Sequence, residues 1–164
     1  MSPRRACIAV GTAVLALGAA AVAVGANPLG TASSPERIDV ITRATAINHF
    51  VDVDSDGQPS SGDTYVFVDN VFLPRAPDVS VGEALGRCTL IDPATARFGC
   101  AITTSLRDGS IMTDGTLTNA PGAISTGAIT GGTGRFRNAR GEAVLDLGPP
   151  EGPHRATFRL ILQP

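Results

Sequence analysis

The stretch Ala128–Val144 reads AITGGTGRFRNARGEAV, and it decides the fold. Its glycines, followed by three arginines, look at first like a phosphate-binding loop. Such a loop needs a strand before it and a helix after it, so that backbone N–H groups at the helix start face the anion. Here an alternating apolar run follows instead, with no Lys-Ser/Thr after the glycines. The segment is therefore predicted to be a tight corner between strands, which needs the conformational freedom of Gly131, Gly132 and Gly134.

The remainder of the chain after residue 35 has the same strand-and-turn character. No segment has a sustained 3.6-residue apolar period, and short runs rich in Val, Ile, Thr and Phe alternate with Gly, Pro, Asp and Asn. The runs are 38–53, 63–73, 84–91, 97–107, 110–118, 123–130, 141–147 and 154–162. Eight such runs predict an all-β domain, either a small antiparallel barrel or an open sandwich. Phe136 and Ala139 are expected to anchor the corner on its core.

The clearest turn lies between the fourth and fifth runs, where the sequence is Arg-Asp-Gly-Ser. An Asp-Gly pair favours a two-residue hairpin turn. The predicted register pairs Arg107 with Ser110 and Ser105 with Met112.

The first 32 residues differ from everything that follows. Two arginines precede an almost wholly apolar stretch, Ala6–Val24, and small residues then offer cleavage sites after Ala26 or Ala32. This order is typical of a secretory signal peptide. We therefore expect residues 1–32 to be a signal peptide with a short linker and residues 33–164 to be one secreted barrel domain. A single membrane anchor is the alternative, because about 20 apolar residues can span a bilayer.

Composition excludes several classes of function. After the leader, 11 arginines and 15 acidic residues remain, which gives a formal charge of −4, and there is no lysine. This balance argues against nucleic acid as a partner, because phosphate binding needs a concentrated basic field. His49 and His154 are too few for a zinc site, and no Gly-x-Ser-x-Gly elbow of a serine hydrolase occurs. No cofactor is expected.

Two cysteines remain after the leader, and their positions predict a disulfide. The segment DPATA separates two strand-like runs, GRCTLI and RFGCAI. A hairpin centred between them pairs Leu90 with Phe98 and Cys88 with Cys100, which places all four side chains on one face. Two free buried thiols are the alternative.

Several motifs resemble one family in sequence order. AITGGTGRFRNARGEA closely resembles the late-barrel motif of the allene oxide cyclase and dirigent barrel superfamily, in particular its secreted actinobacterial members. FVDVDSDGQPSSGDTYVFVDNVF, VGEALGRCTLID and CAITTSLRDGSIMTDGTL are similar to its earlier strands. The resemblance covers about residues 45 to 147. It implies an eight-stranded antiparallel barrel with a largely apolar pocket for a small apolar or aromatic molecule. Related barrels are often dimers or trimers, so a homo-oligomer is also an expectation.

The resemblance implies that the protein acts by confining a reactive molecule in its pocket. Plant allene oxide cyclases guide the ring closure of an unstable epoxide, and dirigent proteins guide the coupling of phenoxy radicals; both hold a reactive molecule in one conformation. An isomerase or cyclase activity is therefore one expectation for this chain. A non-catalytic exported ligand-binding or interaction protein on the same barrel is the alternative, because one fold hosts different functions.

The second strand supplies the principal site candidates. Alignment with the cyclases places Asp69 where that family has an active-site asparagine. Alternation places Tyr65, Phe67, Asp69 and Val71 on one face. If that face is interior, Asp69 is a carboxyl group in an apolar cavity, with a raised pKa and a role in proton transfer. The alternative is a solvated turn at Asp69.

Three further residues match the family motifs. Cys88 aligns with a pocket cysteine of the plant cyclases, but a disulfide to Cys100 would remove its proton. Asp52 matches an aspartate of the secreted bacterial members and is a second catalytic candidate, with a structural loop role as the alternative. Arg140 falls in the Ala-Arg-Gly of the glycine motif, where a structural hydrogen bond to loop carbonyls is favoured.

The loop DVDSDGQPSSGD also has the spacing of a calcium-binding loop. Oxygen-bearing residues fall at its first, third, fifth, ninth and twelfth positions. The candidate acidic ligands are Asp52, Asp54, Asp56 and Asp63. Against calcium, the last position is Asp rather than the longer Glu, Pro59 removes an N–H, and the flanking segments are strands. A plain acidic hairpin loop is the alternative.

Overall fold

The computed structural model describes residues 35–149 and 152–162, which form a closed antiparallel β-barrel. Its strands are β1 (Glu36–Val51), β2 (Thr64–Leu73), β3 (Ala76–Asp92), β4 (Arg97–Leu106), β5 (Gly109–Thr118), β6 (Ile124–Gly132), β7 (Arg140–Asp146) and β8 (His154–Ile161). Each strand pairs with the next in sequence, and β8 closes on β1. The eight-stranded barrel is thus confirmed over the open sandwich. The predicted signal peptide lies outside the described residues, among which no helix is long and apolar enough to cross a membrane.

Seven of the eight predicted runs agree closely with the observed strands. The exception is β3, which begins at Ala76 rather than near residue 84. Its first half contains Pro77 and lacks strict alternation, and these features disfavour a strand prediction. The structure accommodates this segment through register shifts opposite Val71, Phe72 and Leu73 of β2.

One end of the barrel is filled by a compact apolar core. Its fully buried members include Val40, Val71, Ile111, Phe136 and Leu160, which come from strands around the barrel and from the corner after β6. Inward and outward side chains alternate in the regular parts of the strands, as pleated backbone requires, and register shifts interrupt the pattern between β1 and β2, β2 and β3, and β5 and β6. The core closes this end, and the remaining interior lies toward the other.

The glycine-rich segment forms the corner at the closed end. After β6 the chain makes a short 3-10 turn, Gly134–Phe136, with Gly134 at φ 56°, and no α-helix follows. A side chain on Gly132 would collide with the backbone of Phe136 and Ser110. Phe136 and Ala139 are fully buried beneath the corner, as predicted. The corner therefore plugs the barrel and has no phosphate-binding geometry.

The predicted register of the β4–β5 hairpin is wrong. Ser105 pairs with Ser110 and Leu106 with Gly109, so the turn residues are Arg107 and Asp108. Gly109 lies in the strand at φ 145°, where a side chain would collide with the carbonyl of Thr133 in the corner. The corner also bonds to the hairpin backbone, since the Arg135 N–H donates to the Asp108 carbonyl. Glycine is therefore needed at position 109 because the corner lies so close, and not because of the turn.

Candidate functional site

A cavity of about 520 Å³ occupies the barrel interior toward the end where the β1–β2, β3–β4, β5–β6 and β7–β8 connections meet. Its volume falls within the range of small-molecule sites. The walls are mostly apolar, and the larger apolar contributors are Phe67, Leu90, Phe98, Leu117, Leu145 and Phe158. Phe50, Pro59 and Pro93 line the cavity at its loop end. The closed core lies below the cavity, so the site is a blind pocket and not a channel.

Polar side chains lie at the deeper part of this pocket. Asp69 of β2, Ala84 of β3 and Thr104 of β4 are directly opposed on adjacent strands, with their side chains inward. Thr113 of β5 continues this polar zone, and all four residues are buried and line the cavity. The deep end of an otherwise apolar pocket therefore carries one carboxyl group and several hydroxyl groups.

Asp69 is the buried carboxyl group of this pocket, with only 7% of its surface exposed. Burial raises the pKa of Asp69 above its ordinary value, while the positive charge of His154 and a hydrogen bond from Thr42 act in the opposite direction. Desolvation disfavours the charged form, so burial is the dominant cause. The structure thus places Asp69 in the pocket and not in a solvated turn.

Tyr65 and Phe67 stand above Asp69 on the same inward face of β2 and line the pocket. Their rings stack, with centroids 5.8 Å apart and planes inclined by 27°. Burial, and secondarily the charge of Asp69, raises the pKa of the Tyr65 hydroxyl. Val71 shares this face but is fully buried in the closed core. The expectation that Val71 lines the pocket is therefore corrected, because the core already fills its level of the barrel.

Cys88 and Cys100 form the predicted disulfide, with their Cα atoms 4.1 Å apart. They are directly opposed on β3 and β4, and Leu90 is opposed to Phe98 in the predicted register. The four side chains form one buried cluster, and Cys88 lines the pocket. Because the sulfur is bonded, Cys88 contributes packing to the pocket wall and no thiol proton.

Several polar residues of the pocket were not predicted from the sequence, and two of them come from the first and last strands. Thr42 of β1 and His154 of β8 are directly opposed, and both line the cavity beside Asp69. Nδ1 of His154 lies 2.7 Å from the carbonyl oxygen of Leu147. Because a carbonyl only accepts, Nδ1 carries the proton of this bond. The pairing of the first strand with the last brings these residues together, and local sequence patterns do not reveal that pairing.

The loop between β1 and β2 brings three of the four candidate calcium ligands together. Carboxylate oxygens of Asp52, Asp54 and Asp63 lie within 4.8 Å of one another, while Asp56 is outside this group. Asp63 is fully buried and accepts the N–H groups of Val53 and Ser60 at 2.9 and 2.7 Å. These bonds give Asp63 a structural role in the loop.

Asp52, the second catalytic candidate, lies in this loop and not in the pocket lining. Its carboxylate accepts the N–H groups of Gly57 at 2.8 Å and Ser55 at 2.7 Å. The bond from Gly57 is the largest cause of the lowered pKa of Asp52. The geometry matches the loop alternative, because Asp52 holds backbone and faces no part of the cavity.

Arg140 likewise has a backbone partner, since its Nη1 donates to the carbonyl of Ala139 at 2.7 Å. Gly131 leaves room beside that guanidinium group. Both residues belong to the corner at the closed end, away from the pocket lining. The glycines and Arg140 of this motif therefore shape the barrel, and only Ala143 at the end of the motif lines the pocket.

No family model and no curated protein matches the chain. Solved structures do. A pyocyanin demethylase is 25% identical with a TM-score of 0.62, over 76% of this chain and 99% of that chain. The pterocarpan synthase dirigent protein PsPTS1 is 20% identical with a TM-score of 0.58, over 77% and 92%. The exo-specific intermolecular Diels-Alderase AbnU is 20% identical with a TM-score of 0.61, over 77% and 98%.

This chain has the allene oxide cyclase/dirigent barrel fold. The barrel relatives carry names for three different reactions, which agrees with the rule that a fold hosts many chemistries. The fold therefore does not identify the function of this allene oxide cyclase/dirigent-like barrel, and the pocket around Asp69 and His154 is the part of the structure that bears on it.

Proposed function

We propose that this barrel binds a small apolar or aromatic molecule in its pocket and guides the cyclisation or coupling of that molecule without a cofactor. The observation that carries the proposal is the blind apolar cavity of about 520 Å³ with Asp69 and His154 on its wall. Relatives of the same fold that are named as a synthase and a Diels-Alderase support this class of reaction.

The pocket can contribute to such a reaction in two ways. Rigid strand-borne walls restrict the conformations of a bound molecule, and restricted conformations accelerate intramolecular reactions. Asp69 and His154 can in addition donate or accept a proton at the bound molecule, because both are titratable and both line the cavity. Thr42, which is opposed to His154, lines the same part of the cavity.

We further propose that the protein acts outside the cell. The apolar leader predicted at residues 1–32 supports export. The disulfide between Cys88 and Cys100 supports it as well, because disulfides persist in oxidising compartments.

A non-catalytic carrier is the second candidate, and the largely apolar lining supports it. A carrier needs a shaped apolar pocket and no proton transfer. For a carrier, replacing Asp69 should alter affinity for the ligand and leave the composition of the surrounding metabolites unchanged.

One experiment separates the two candidates. The secreted protein is purified, and any retained small molecule is identified by mass spectrometry. The protein, its Asp69→Asn variant and buffer are then incubated with extracts of the producing cell. Guidance of a reaction is expected to change product ratios with the wild type and much less with the variant. Unchanged product ratios with the wild type relative to buffer would exclude the catalytic candidate.

A further inference from the structure

The charges of this barrel are divided between its exterior and its pocket. Among residues 35–149 and 152–162, the titratable residues that line the pocket are Asp69, His154 and Tyr65, and no arginine lines it. In the part of the chain that the structure describes, the ion pairs join Arg37 to Asp39, Arg135 to Glu36 and Arg159 to Glu142, with side chains partly or largely exposed. The one carboxyl group of the pocket has no cationic side chain within ion-pair distance.

Burial of Asp69 without an ion-pair partner lowers the stability of the folded protein. A buried carboxylate loses hydration, and an ion pair normally compensates for that loss. At Asp69 the effects that act against desolvation are those of the His154 charge and of Thr42, and burial outweighs both. A bound molecule with a positive charge would supply the missing partner inside the pocket.

The surroundings of Asp69 suit a cation attached to an apolar body. Tyr65 and Phe67 form a stacked pair on the same face of β2 as the carboxyl group. Aromatic faces attract cations, and the attraction increases when water is excluded. Above them, Leu90, Phe98 and Leu117 offer apolar surface to a hydrocarbon or aromatic group.

We propose that the ligand of this pocket is a protonated amine on an apolar or aromatic body, with its ammonium group against Asp69 and its body along the walls toward the loop end. This inference rests on the proposed function of the pocket and adds to it the charge of the ligand. The formal charge of −4 on the chain without its leader favours the approach of a cation as well.

The test uses two probes of nearly the same shape, naphthylmethylamine and naphthylmethanol, titrated calorimetrically into the secreted protein at neutral pH. The amine is expected to bind about tenfold more tightly than the alcohol, and the Asp69→Asn variant should bind the two about equally. Asp78→Asn is the matched control, because it removes the same charge from an exposed β3 position. It should keep the preference for the amine.

The outcomes distinguish this inference from the proposed function. If both probes bind the wild type equally, or if Asp78→Asn abolishes the preference as well as Asp69→Asn does, the assignment of a cationic ligand is wrong while the apolar pocket stands. If neither probe binds, the proposed function fails. Acidification provides a further readout. Protonation of Asp69 removes the partner of the ammonium group, so the preference should disappear at low pH. A preference that persists there would also overturn the inference.

Discussion

Removal of the disulfide should lower the stability of the barrel, and the length of the loop that the disulfide closes sets the size of the effect. Cys88 and Cys100 are separated by 12 residues in sequence. In the chain-entropy treatment, closing a loop of about 13 residues stabilises the folded state by roughly 3 kcal/mol. A domain of about 130 residues loses roughly 3–4 °C in Tm per kcal/mol, so the expected decrease is about 10 °C.

The assay compares thermal unfolding of the wild type, with and without a thiol reductant, with that of the Cys88→Ala/Cys100→Ala variant. Reduced wild type and the variant should both melt about 10 °C below the oxidised protein, and the reductant should not affect the variant. Alkylation followed by mass spectrometry verifies that both thiols are free after reduction. An unchanged Tm in fully alkylated wild type would refute the entropic reasoning. Because Cys88 lines the pocket, affinity for an apolar probe should decrease in the same samples.

Three further predictions follow from the pocket and its loop. Asp69→Asn should raise the free energy of unfolding at neutral pH by about 0.5–2 kcal/mol. The pKa of Asp69 is raised in the folded state, so the stability from its protonated form is present below the unfolded pKa and is lost as pH rises through the folded pKa. Denaturant titrations at neutral and acidic pH should show that the stability gained by Asp69→Asn disappears in acid. A variant that is less stable than the wild type at neutral pH would contradict this. Gly86→Ala should lower the free energy of unfolding by roughly 1–3 kcal/mol and weaken probe binding, because the new methyl group would displace the ring of Phe67. Unchanged melting and binding would show that the ring moves freely. Millimolar calcium should produce no heat in calorimetry, because Asp63 is buried and bonded to backbone; stoichiometric heat would reinstate the calcium loop.

The strands and the disulfide could be predicted from sequence because they depend on local patterns. Alternation along Tyr65, Phe67 and Asp69 identifies the inward face, and the short DPATA connection fixes the register of Cys88 against Cys100. In both cases the deciding residues lie within one hairpin. Period-two alternation and turn length therefore contain the necessary information.

The remaining features depend on contacts between distant segments. The β4–β5 register differs from the prediction, and Gly109 of this hairpin is approached by the corner at Thr133, 24 positions later in the chain. The pairing of Thr42 with His154 requires closure of the barrel between its first and last strands. Alternation shows that Val71 points inward, but it does not show how high the core fills the barrel. Long-range packing decides these points, and a single sequence carries little information about it.

Among the described residues, the carboxyl group in the pocket has no ion-pair partner, contrary to the rule that buried charges have partners, and this supports the pocket as the functional region that we propose. Asp63, the other buried carboxyl group of the described residues, accepts two backbone N–H groups, and the ion pairs within residues 35–149 and 152–162 lie outside the pocket. A purely structural pocket wall would be more stable with an apolar residue at position 69. A cationic group on a bound molecule would offset the desolvation of Asp69 further, so the same group that reduces the stability of the barrel favours the bound state. Stability of the free protein and selectivity for the ligand should therefore change in opposite directions whenever this position is altered.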